Sequence, residues 1–458
     1  MEIMLEKGLI AMNEKSAKVC SNFCSASPPT TAWQPFAVIS FLLLFTLSLE
    51  SLPLPIQAQI VPLTSLLALV FLPFITVRVR VTPLFKMVIA FAIFVTIHSV
   101  IALFLDITIR GDEVIRLIAW GRQVIGLTAG LSVFLVLRRT LISVSDRFII
   151  SSVIIGALPA LGLALLNVLW GLTGSVIAGH IVTQVRRALI PLGFTAPFRA
   201  SGLSLEPSHF AFYLVVVVIP ICLTRLITSK HLFPWAALLG LILITIAYTF
   251  SITGFVVLLV FAIAGILFGP RCHVFAIAVF SLLLLVGGFG VLFPNNYAVW
   301  QAQTLLSGEW SLSITDRLYS TLGPFINSLS SYTLIGYGLG GTSTHFREIV
   351  PVVAQEDIAA VSWEGIPNLR TLIGRILAEN GLIGLALFIS ILIVGLKELH
   401  CARRARSDQL RSYLLESTRV ALVSLLVGIT IGHGSFALPY LWFWLALIDS
   451  RYLLNRPR

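Results

Sequence analysis

The chain has 458 residues, of which 57% are hydrophobic and only 11% are charged, and its formal net charge is +11. This composition excludes a large soluble core and is typical of a protein that crosses a membrane many times. The basic excess falls mostly in the short polar segments between apolar runs, and no nucleic-acid-binding motif accompanies it. Nucleic acid is therefore not an expected partner.

Apolar runs of about the ~20 residues that a helix needs to cross a bilayer recur from residue 34 onward. They predict an all-α, polytopic membrane protein with about twelve transmembrane helices, at 36–50, 56–77, 84–105, 114–137, 148–170, 207–224, 232–250, 254–269, 273–293, 371–396, 418–433 and 436–450. The polar residues 1–33 lack the apolar centre of a cleaved signal peptide. They are expected to form a cytoplasmic tail.

The basic residues predict the orientation of these helices. All six lysines and many arginines fall on the same side as the N-terminus, which the positive-inside rule assigns to the cytoplasm. With an even number of helices, the C-terminus is cytoplasmic too. The predicted organisation is helices 1–9 over 34–293 with a smaller external loop at 171–205, a large external loop at 294–370, and helices 10–12 with a short tail over 371–458.

The basic residues on the external side, or within the predicted helices, are all arginine. They are Arg110, Arg116, Arg122, Arg186, Arg187, Arg199, Arg317, Arg347, Arg370 and Arg375. Arginine binds two phosphate oxygens at once and does not lose its charge. The set favours an external site for a phosphate or diphosphate, and the alternative is that these side chains reach lipid headgroups or pair with acidic residues.

The segment "FRASGLSLEPSHFAFYL", residues 198–214, places charged and polar side chains, which are unfavourable in a membrane, at the start of an apolar run. Pro207 suits the first turn of a helix, so that Glu206 and His209 share one helix face. Glu206 has a structural explanation as a helix cap. The alternative is a site in which Arg199 binds an anion and Glu206 or His209 handles a proton.

Three further features are candidates for a functional site. Arg122 lies about nine residues, or ~13 Å, inside a predicted helix, where function is the default interpretation of a charge. Arg375 and Glu379 are four residues apart, a spacing that favours mutual neutralisation. "GYGLGG", residues 336–341, offers backbone amides to a phosphate, although it lies in a loop without the strand and helix of a nucleotide-binding motif.

Four segments together resemble the O-antigen polymerase and O-antigen ligase superfamily. "RASGLSLEPSHFAFYL" is similar to the family's arginine and Glu-Pro segment, "TDRLYST" to the arginine segment early in its large periplasmic loop, "IGYGLGG" to the glycine turn of that loop, and "RILAENGLIGLALFISIL" to the start of the next helix. The order of the motifs, with about twelve helices and one large late loop, covers most of the chain from residue 34.

The resemblance implies a bacterial inner-membrane glycosyltransferase of GT-C-like architecture that needs neither a metal nor a nucleotide sugar. Its donor and acceptor would be oligosaccharides linked to undecaprenyl diphosphate, and a chain-length regulator protein would be a further partner. Arg199 and Arg317 would bind the diphosphate, with Arg122 and Arg370 as further candidates. The proton acceptor would be Glu206, ranked first, or His345 or His209.

Polymerisation of lipid-linked repeats is the favoured activity. Pro367 occupies the position of the histidine that the ligases carry before helix ten, which argues against ligase chemistry at that position. The alternatives that remain are ligase-like transfer to lipid A core or to protein, and flipping or export of the lipid-linked oligosaccharide.

Overall fold

The computed structural model describes ten segments of the chain and the isolated residues 288, 303 and 307. The segments are 34–49, 52–53, 60–75, 80–110, 113–190, 199–269, 312–328, 334–351, 369–404 and 408–455. The N-terminal tail at 1–33, most of the helix predicted at 273–293 and much of the loop at 294–370 lie outside them. Apart from one short pair of strands, Leu52–Pro53 with Ile60–Val61, these segments contain helices and connections only.

The first half of the described chain contains six α-helices before the Glu-Pro segment and two after it that form one rod. They are α1 (Gln34–Phe45), α2 (Leu63–Phe71), α3 (Pro83–Arg110), α4 (Glu113–Leu141), α5 (Asp146–Thr173), α6 (Val176–Leu189), α7 (Pro207–Tyr213) and α8 (Ile219–Thr228). A π-helical segment, Leu214–Val218, joins α7 to α8. Short 3₁₀ turns extend α1 and α2.

The second half contains the remaining helices. They are α9 (Leu232–Thr249), α10 (Ile252–Phe268), α11 (Leu312–Ser328), the single turn α12 (Phe346–Ile349), α13 (Leu372–Arg404), α14 (Gln409–Ile431) and α15 (Pro439–Asn455).

Within the described residues, seven helices are long and apolar enough to cross a bilayer. They are Pro83–Thr108, Val114–Leu141, Asp146–Thr173, Pro207–Thr228, Leu232–Thr249, Leu372–Arg404 and Gln409–Ile431. Three shorter apolar helices, Pro35–Ser48, Leu63–Phe74 and Ile252–Phe268, also coincide with predicted runs. The prediction of an all-helical membrane protein is confirmed, whereas the count of twelve and the GT-C-like arrangement stay predictions.

Buried ion pairs join helix ends at one end of the bundle, which we call the Asp146 end. Asp146, the first residue of α5, binds Nε of Arg411 in α14 at 2.5 Å and Nε of Arg451 in α15 at 2.7 Å. Arg138, in the last turn of α4, pairs with Asp449 of α15. The positive-inside rule predicts that this end faces the cytoplasm.

The rod formed by α7, the π-helical segment and α8 lies in the centre of the bundle and is buried over most of its length. Pro220 has no N–H, so the carbonyl of Val216 lacks its usual helical donor. Nε1 of Trp444 in α15 donates to that carbonyl at 2.9 Å. A side chain from a neighbouring helix therefore satisfies the irregular backbone, as a bilayer interior requires.

Helix α13 is broken at Gly381, where φ is 63° and ψ is −166°. The break leaves carbonyls without helical donors. The amides of Tyr337 and Gly338 donate to the carbonyls of Ala378 and Glu379, at 3.0 and 2.6 Å. The segment 334–341 is therefore docked into the break and completes the hydrogen bonds of the helix.

Gly381→Ala is expected to lower the free energy of unfolding by at least about 2 kcal/mol, since this backbone conformation is nearly restricted to glycine. A Cβ at this position would also lie 2.4 Å from the carbonyl of Leu334. Thermal unfolding of the purified protein in detergent measures the effect. Gly240→Ala in α9 is the control, because a Cβ there meets nothing within 4 Å and gains helix propensity. Equal melting temperatures for the two variants would contradict the assignment of strain to Gly381.

Candidate functional site

Five polar side chains from four segments of the chain meet at the end of the bundle opposite the Asp146 end. We call them the Arg317 cluster, and they are Glu206, His209, Arg317, Arg370 and His433. Glu206 and His209 lie at the start of α7, Arg317 lies in α11, Arg370 precedes α13, and His433 follows α14. Four of the five were predicted as site residues, and His433 was not.

Arg317 is the centre of the cluster. Its Nη2 lies 3.9 Å from Oε2 of Glu206, and its Nη1 contacts the hydroxyl of Thr253 in the first turn of α10. The side chains of Arg317 and Glu206 are 25% and 42% exposed. The distance is longer than the 2.7–2.9 Å of a charge-assisted hydrogen bond, so the two groups form a loose ion pair that solvent can reach.

Arg370 joins α11 to the start of α13. Its Nε lies 3.1 Å from Oδ2 of Asp316, and its backbone amide donates to Oγ of Ser320 at 3.1 Å. Burial raises the pKa of the Asp316 carboxyl, and the nearby arginines offset this only in part. Because Asp316 and Arg317 are neighbours in sequence, the ion pair with Asp316 holds Arg370 close to Arg317.

The two histidines of the cluster are in contact. The ring centroids of His209 and His433 are 4.6 Å apart, and the ring of His433 stacks on Phe212 at 4.0 Å. Burial, together with the charges of His209 and Arg317, holds the pKa of His433 well below its usual value. His433 is therefore neutral at physiological pH.

The glycines on either side of His433 allow this close packing. A Cβ at Gly432 would lie 3.0 Å from Cγ2 of Thr253, and one at Gly434 would lie 2.8 Å from the backbone of Arg370. The carbonyl of His433 accepts a hydrogen bond from the amide of Leu372 at 2.9 Å. These contacts hold the histidine against α10 and against the segment that carries Arg370.

Glu206 is the N-cap residue of α7 by position, but its carboxylate makes no capping hydrogen bond. It accepts a hydrogen bond from Oγ of Ser208 at 3.1 Å instead. Burial tends to raise the pKa of Glu206, but the charges of His209, Arg317 and Arg370, with the Ser208 hydroxyl, hold it below its usual value. No capping hydrogen bond supports the helix-cap explanation of Glu206, although the carboxylate keeps its place at the N-terminus of α7, and it is ionised at neutral pH.

Arg199 lies at the same end, beside the turn between α9 and α10. Its Nε donates to the carbonyl of Thr249 at 3.2 Å, and the amide of Ala200 donates to the carbonyl of Tyr248 at 2.9 Å. Arg186 of α6 holds the segment that follows, since it donates to the carbonyls of Gly202 and Leu205 at 2.8 and 3.3 Å. Burial lowers the pKa of Arg186 to about 10. Arg186 thus has a structural role in placing the Glu-Pro segment.

His345 belongs to a second network rather than to the Arg317 cluster. Its Nε2 lies 3.0 Å from Oδ1 of Asp106, and its Nδ1 lies 3.2 Å from Oε2 of Glu348. The residue is 4% exposed, and its ring stacks on Tyr337. With both ring nitrogens engaged and little exposure, His345 is poorly placed to accept a proton from a substrate.

The glycine turn at 336–341 also belongs to this second network. Glu379 of α13 accepts hydrogen bonds from the amide of Gly340 and the hydroxyl of Thr342, each at 3.0 Å. Arg116 of α4 donates to the carbonyls of Leu339 and Tyr337, at 2.5 and 3.0 Å. Amides of this turn donate hydrogen bonds to groups of the protein itself. The interpretation that they bind a phosphate is therefore corrected.

Two other predicted positions lie on these helices. Arg122 is half-buried in α4, on the helix that carries Arg116, and its assignment to diphosphate binding stays a prediction. Nη1 of Arg375 donates to Oε1 of Gln123 at 3.0 Å, and Nη2 donates to the carbonyl of Leu369 at 3.0 Å. Arg375 therefore joins α4 to α13, and its hydrogen bonds go to these groups rather than to Glu379.

Among the described residues, no three His, Cys, Asp or Glu side chains form a group that could hold a metal ion. No protein-family model matches the chain, and no curated protein matches it. The resemblance to O-antigen polymerases and ligases therefore depends on the quoted motifs and their order.

Proposed function

We propose that this protein is a membrane-embedded polysaccharide polymerase that joins oligosaccharide repeats linked to undecaprenyl diphosphate. The observation that carries the proposal is the Arg317 cluster, in which two arginines, a carboxylate and two imidazoles from four segments of the chain meet at one end of a membrane bundle. The cluster lies at the end where the sequence predicts the periplasm. Charged groups are costly near a bilayer, and their concentration in one place favours a function.

The arginines would bind the diphosphate of the donor. A guanidinium contacts two phosphate oxygens at once, and it stabilises the negative charge that develops when the diphosphate leaves. Arg317 has the exposure that this role requires, and the 3.9 Å between Arg317 and Glu206 allows the guanidinium to turn toward a phosphate at small cost. Arg370 and Arg199 would supply further positive charge at the same end.

In the proposed reaction, a hydroxyl oxygen of the acceptor sugar attacks the anomeric carbon of the donor. The new glycosidic C–O bond forms as the bond from that carbon to the diphosphate oxygen breaks. The bonding electrons leave with undecaprenyl diphosphate, and the hydroxyl proton passes to a basic side chain of the cluster. The transfer needs neither a nucleotide sugar nor a metal ion, because donor activation resides in the diphosphate.

This function assigns the protein to the bacterial inner membrane, with both termini in the cytoplasm. Its partners would be the lipid-linked donor and acceptor, the membrane lipids and a chain-length regulator protein. Ligase-like transfer to lipid A core or to protein is the related alternative. A flippase or exporter is the alternative from another class, and the break in α13 is the feature that favours it, since transporters use broken helices at their substrate sites. In this chain the segment 334–341 occupies the break, which favours a structural role.

Deletion of the gene in its host, followed by gel analysis of the cell-surface glycan, tests the proposal. The expected result is loss of the long ladder and retention of single repeat units, restored by the gene on a plasmid. A matched plasmid that carries Arg403→Lys should also restore the ladder, because Arg403 lies at the far end of α13, where its half-exposed side chain pairs with Glu416 and lysine keeps the charge.

The other outcomes separate the alternatives. Full-length glycan that accumulates on its lipid carrier would support a ligase. Single repeats confined to the cytoplasmic leaflet would support a flippase. An unchanged ladder on its usual acceptor would contradict all three assignments.

A further inference from the structure

His433 carries a buried ring nitrogen that lacks a hydrogen-bond partner among the described residues. The residue is 4% exposed, and its Nε2 is the unsatisfied atom. Leaving a buried polar atom unpaired is unfavourable, because the atom has lost its hydrogen bonds to water and gained none in the protein. A structure that retains such an atom beside a candidate site calls for an explanation.

His209, which can carry a proton, contacts this imidazole. Their centroids are 4.6 Å apart, with 56° between the ring planes. His209 is also about one helical turn from Glu206, and the two interact electrostatically. His209 therefore contacts a neutral imidazole with an unpaired nitrogen and is close to an ionised carboxylate.

We propose that His209 takes the proton of the acceptor hydroxyl, and that His433 is a positioning residue that then accepts a hydrogen bond from the protonated His209 ring. Glu206 supplies the opposite charge. The inference rests on the proposed polymerase function and names how that site handles its proton. As the acceptor oxygen bonds to the anomeric carbon, its proton moves to a His209 nitrogen, and the bonding electrons of the donor leave with the diphosphate.

His209 suits this role better than the other two predicted bases. Glu206 is an ionised carboxylate held by positive charge, so it binds a proton weakly. His345 is buried in the second network with both nitrogens engaged. A general base works best when its affinity for a proton matches the working pH, and an imidazole meets that condition near neutrality.

Three substitutions of His433 separate a hydrogen-bonding role from packing. Phenylalanine keeps a ring that can stack on Phe212 but has no nitrogen. Glutamine places an amide oxygen near the position of Nε2, whereas asparagine reaches only the position of Nδ1. Each variant is expressed as the full chain in the deletion strain, and polymer is quantified against the amount of protein in the membrane.

The expected result is a loss of polymer of at least about tenfold for His433→Phe and His433→Asn, as part of the 10²–10⁴ that general-base catalysis contributes. His433→Gln should restore most of the ladder. His98→Phe is the matched control, because His98 is also buried, lies against Phe94 and has an unsatisfied Nδ1, but belongs to neither the cluster nor the proposed reaction. It should give a ladder close to that of the parent.

A parental ladder from His433→Phe would overturn the inference, and so would equal losses from the Phe and Gln variants when both melt at the parental temperature. Either result leaves the polymerase assignment intact if gene deletion still yields single repeats. Failure of the polymerase assignment is recognised separately, by a ladder that survives the deletion.

Discussion

Arg317→Lys is expected to reduce polymer at least about hundredfold, the scale measured when one preorganised donor is removed from a site of developing charge. Lysine keeps the positive charge but offers a point charge on a flexible stem, so it cannot bind two phosphate oxygens in a plane. The same result is expected for Arg199→Lys, which the resemblance pairs with Arg317. The measurement is the glycan ladder in the complemented deletion strain, normalised to the amount of protein in the membrane.

Arg403→Lys is the control for loss of an arginine in general. Arg403 is 44% exposed and pairs with Glu416 at 3.1 Å, far from the cluster. Glu416 is only 9% exposed, so its carboxylate needs a cation beside it, and lysine supplies one. If Arg317→Lys and Arg199→Lys both gave near-parental ladders, the diphosphate role would be wrong, and these arginines would be lipid-headgroup or structural contacts.

Hydropathy was sufficient to predict the fold class and most of the helices. The run at 84–105 corresponds to α3 (Pro83–Arg110), and the run at 114–137 to α4 (Glu113–Leu141). The observed helices are longer because hydropathy follows the bilayer interior, whereas backbone hydrogen bonding continues into the polar ends. The Asp146 end shows how those ends are used, since its arginines and aspartates join separate helices.

The irregular backbone could not be predicted from local pattern. Gly381 lies in an apolar run that resembles an ordinary helix, and its positive φ depends on a partner about forty residues earlier in the chain. The same contact argues against interpreting the glycine turn at 336–341 as a phosphate-binding loop. A Gly-rich sequence indicates exposed amides only when nothing else in the fold accepts their hydrogen bonds, and here Glu379 does so.

The site was predictable in part. The Glu-Pro segment and the arginine segment of the large loop each carried polar groups that an apolar environment makes costly, and the structure brings Glu206 and Arg317 together. His433 was missed because a lone histidine after a helix has no distinctive spacing. The available signal was the pair of glycines around it in "GHG", which permits the close approach of α10 on one side and of the Arg370 segment on the other.

Arg116→Met is expected to lower the free energy of unfolding by about 3–5 kcal/mol, the usual cost of removing one partner of a buried ion pair. Arg116 is 1% exposed and binds Oδ2 of Asp106 at 2.7 Å, in addition to the carbonyls of Leu339 and Tyr337. Methionine fills similar space but leaves all three oxygens without their donor. Thermal unfolding in detergent and the amount of protein in the membrane measure the loss.

Asp106→Asn, made alone and together with Arg116→Met, shows how much of that loss comes from the Asp106 carboxylate that Arg116→Met leaves without its cation. The asparagine oxygen can still accept a hydrogen bond from Nε2 of His345, which lies 3.0 Å from Oδ1 of Asp106, but it carries no charge that needs Arg116. The double variant should therefore be less destabilised than the sum of the two single variants, with a coupling of about 1–3 kcal/mol. Strict additivity would mean that Arg116 stabilises the fold through the carbonyls of the glycine turn alone, and that the ion pair with Asp106 contributes nothing.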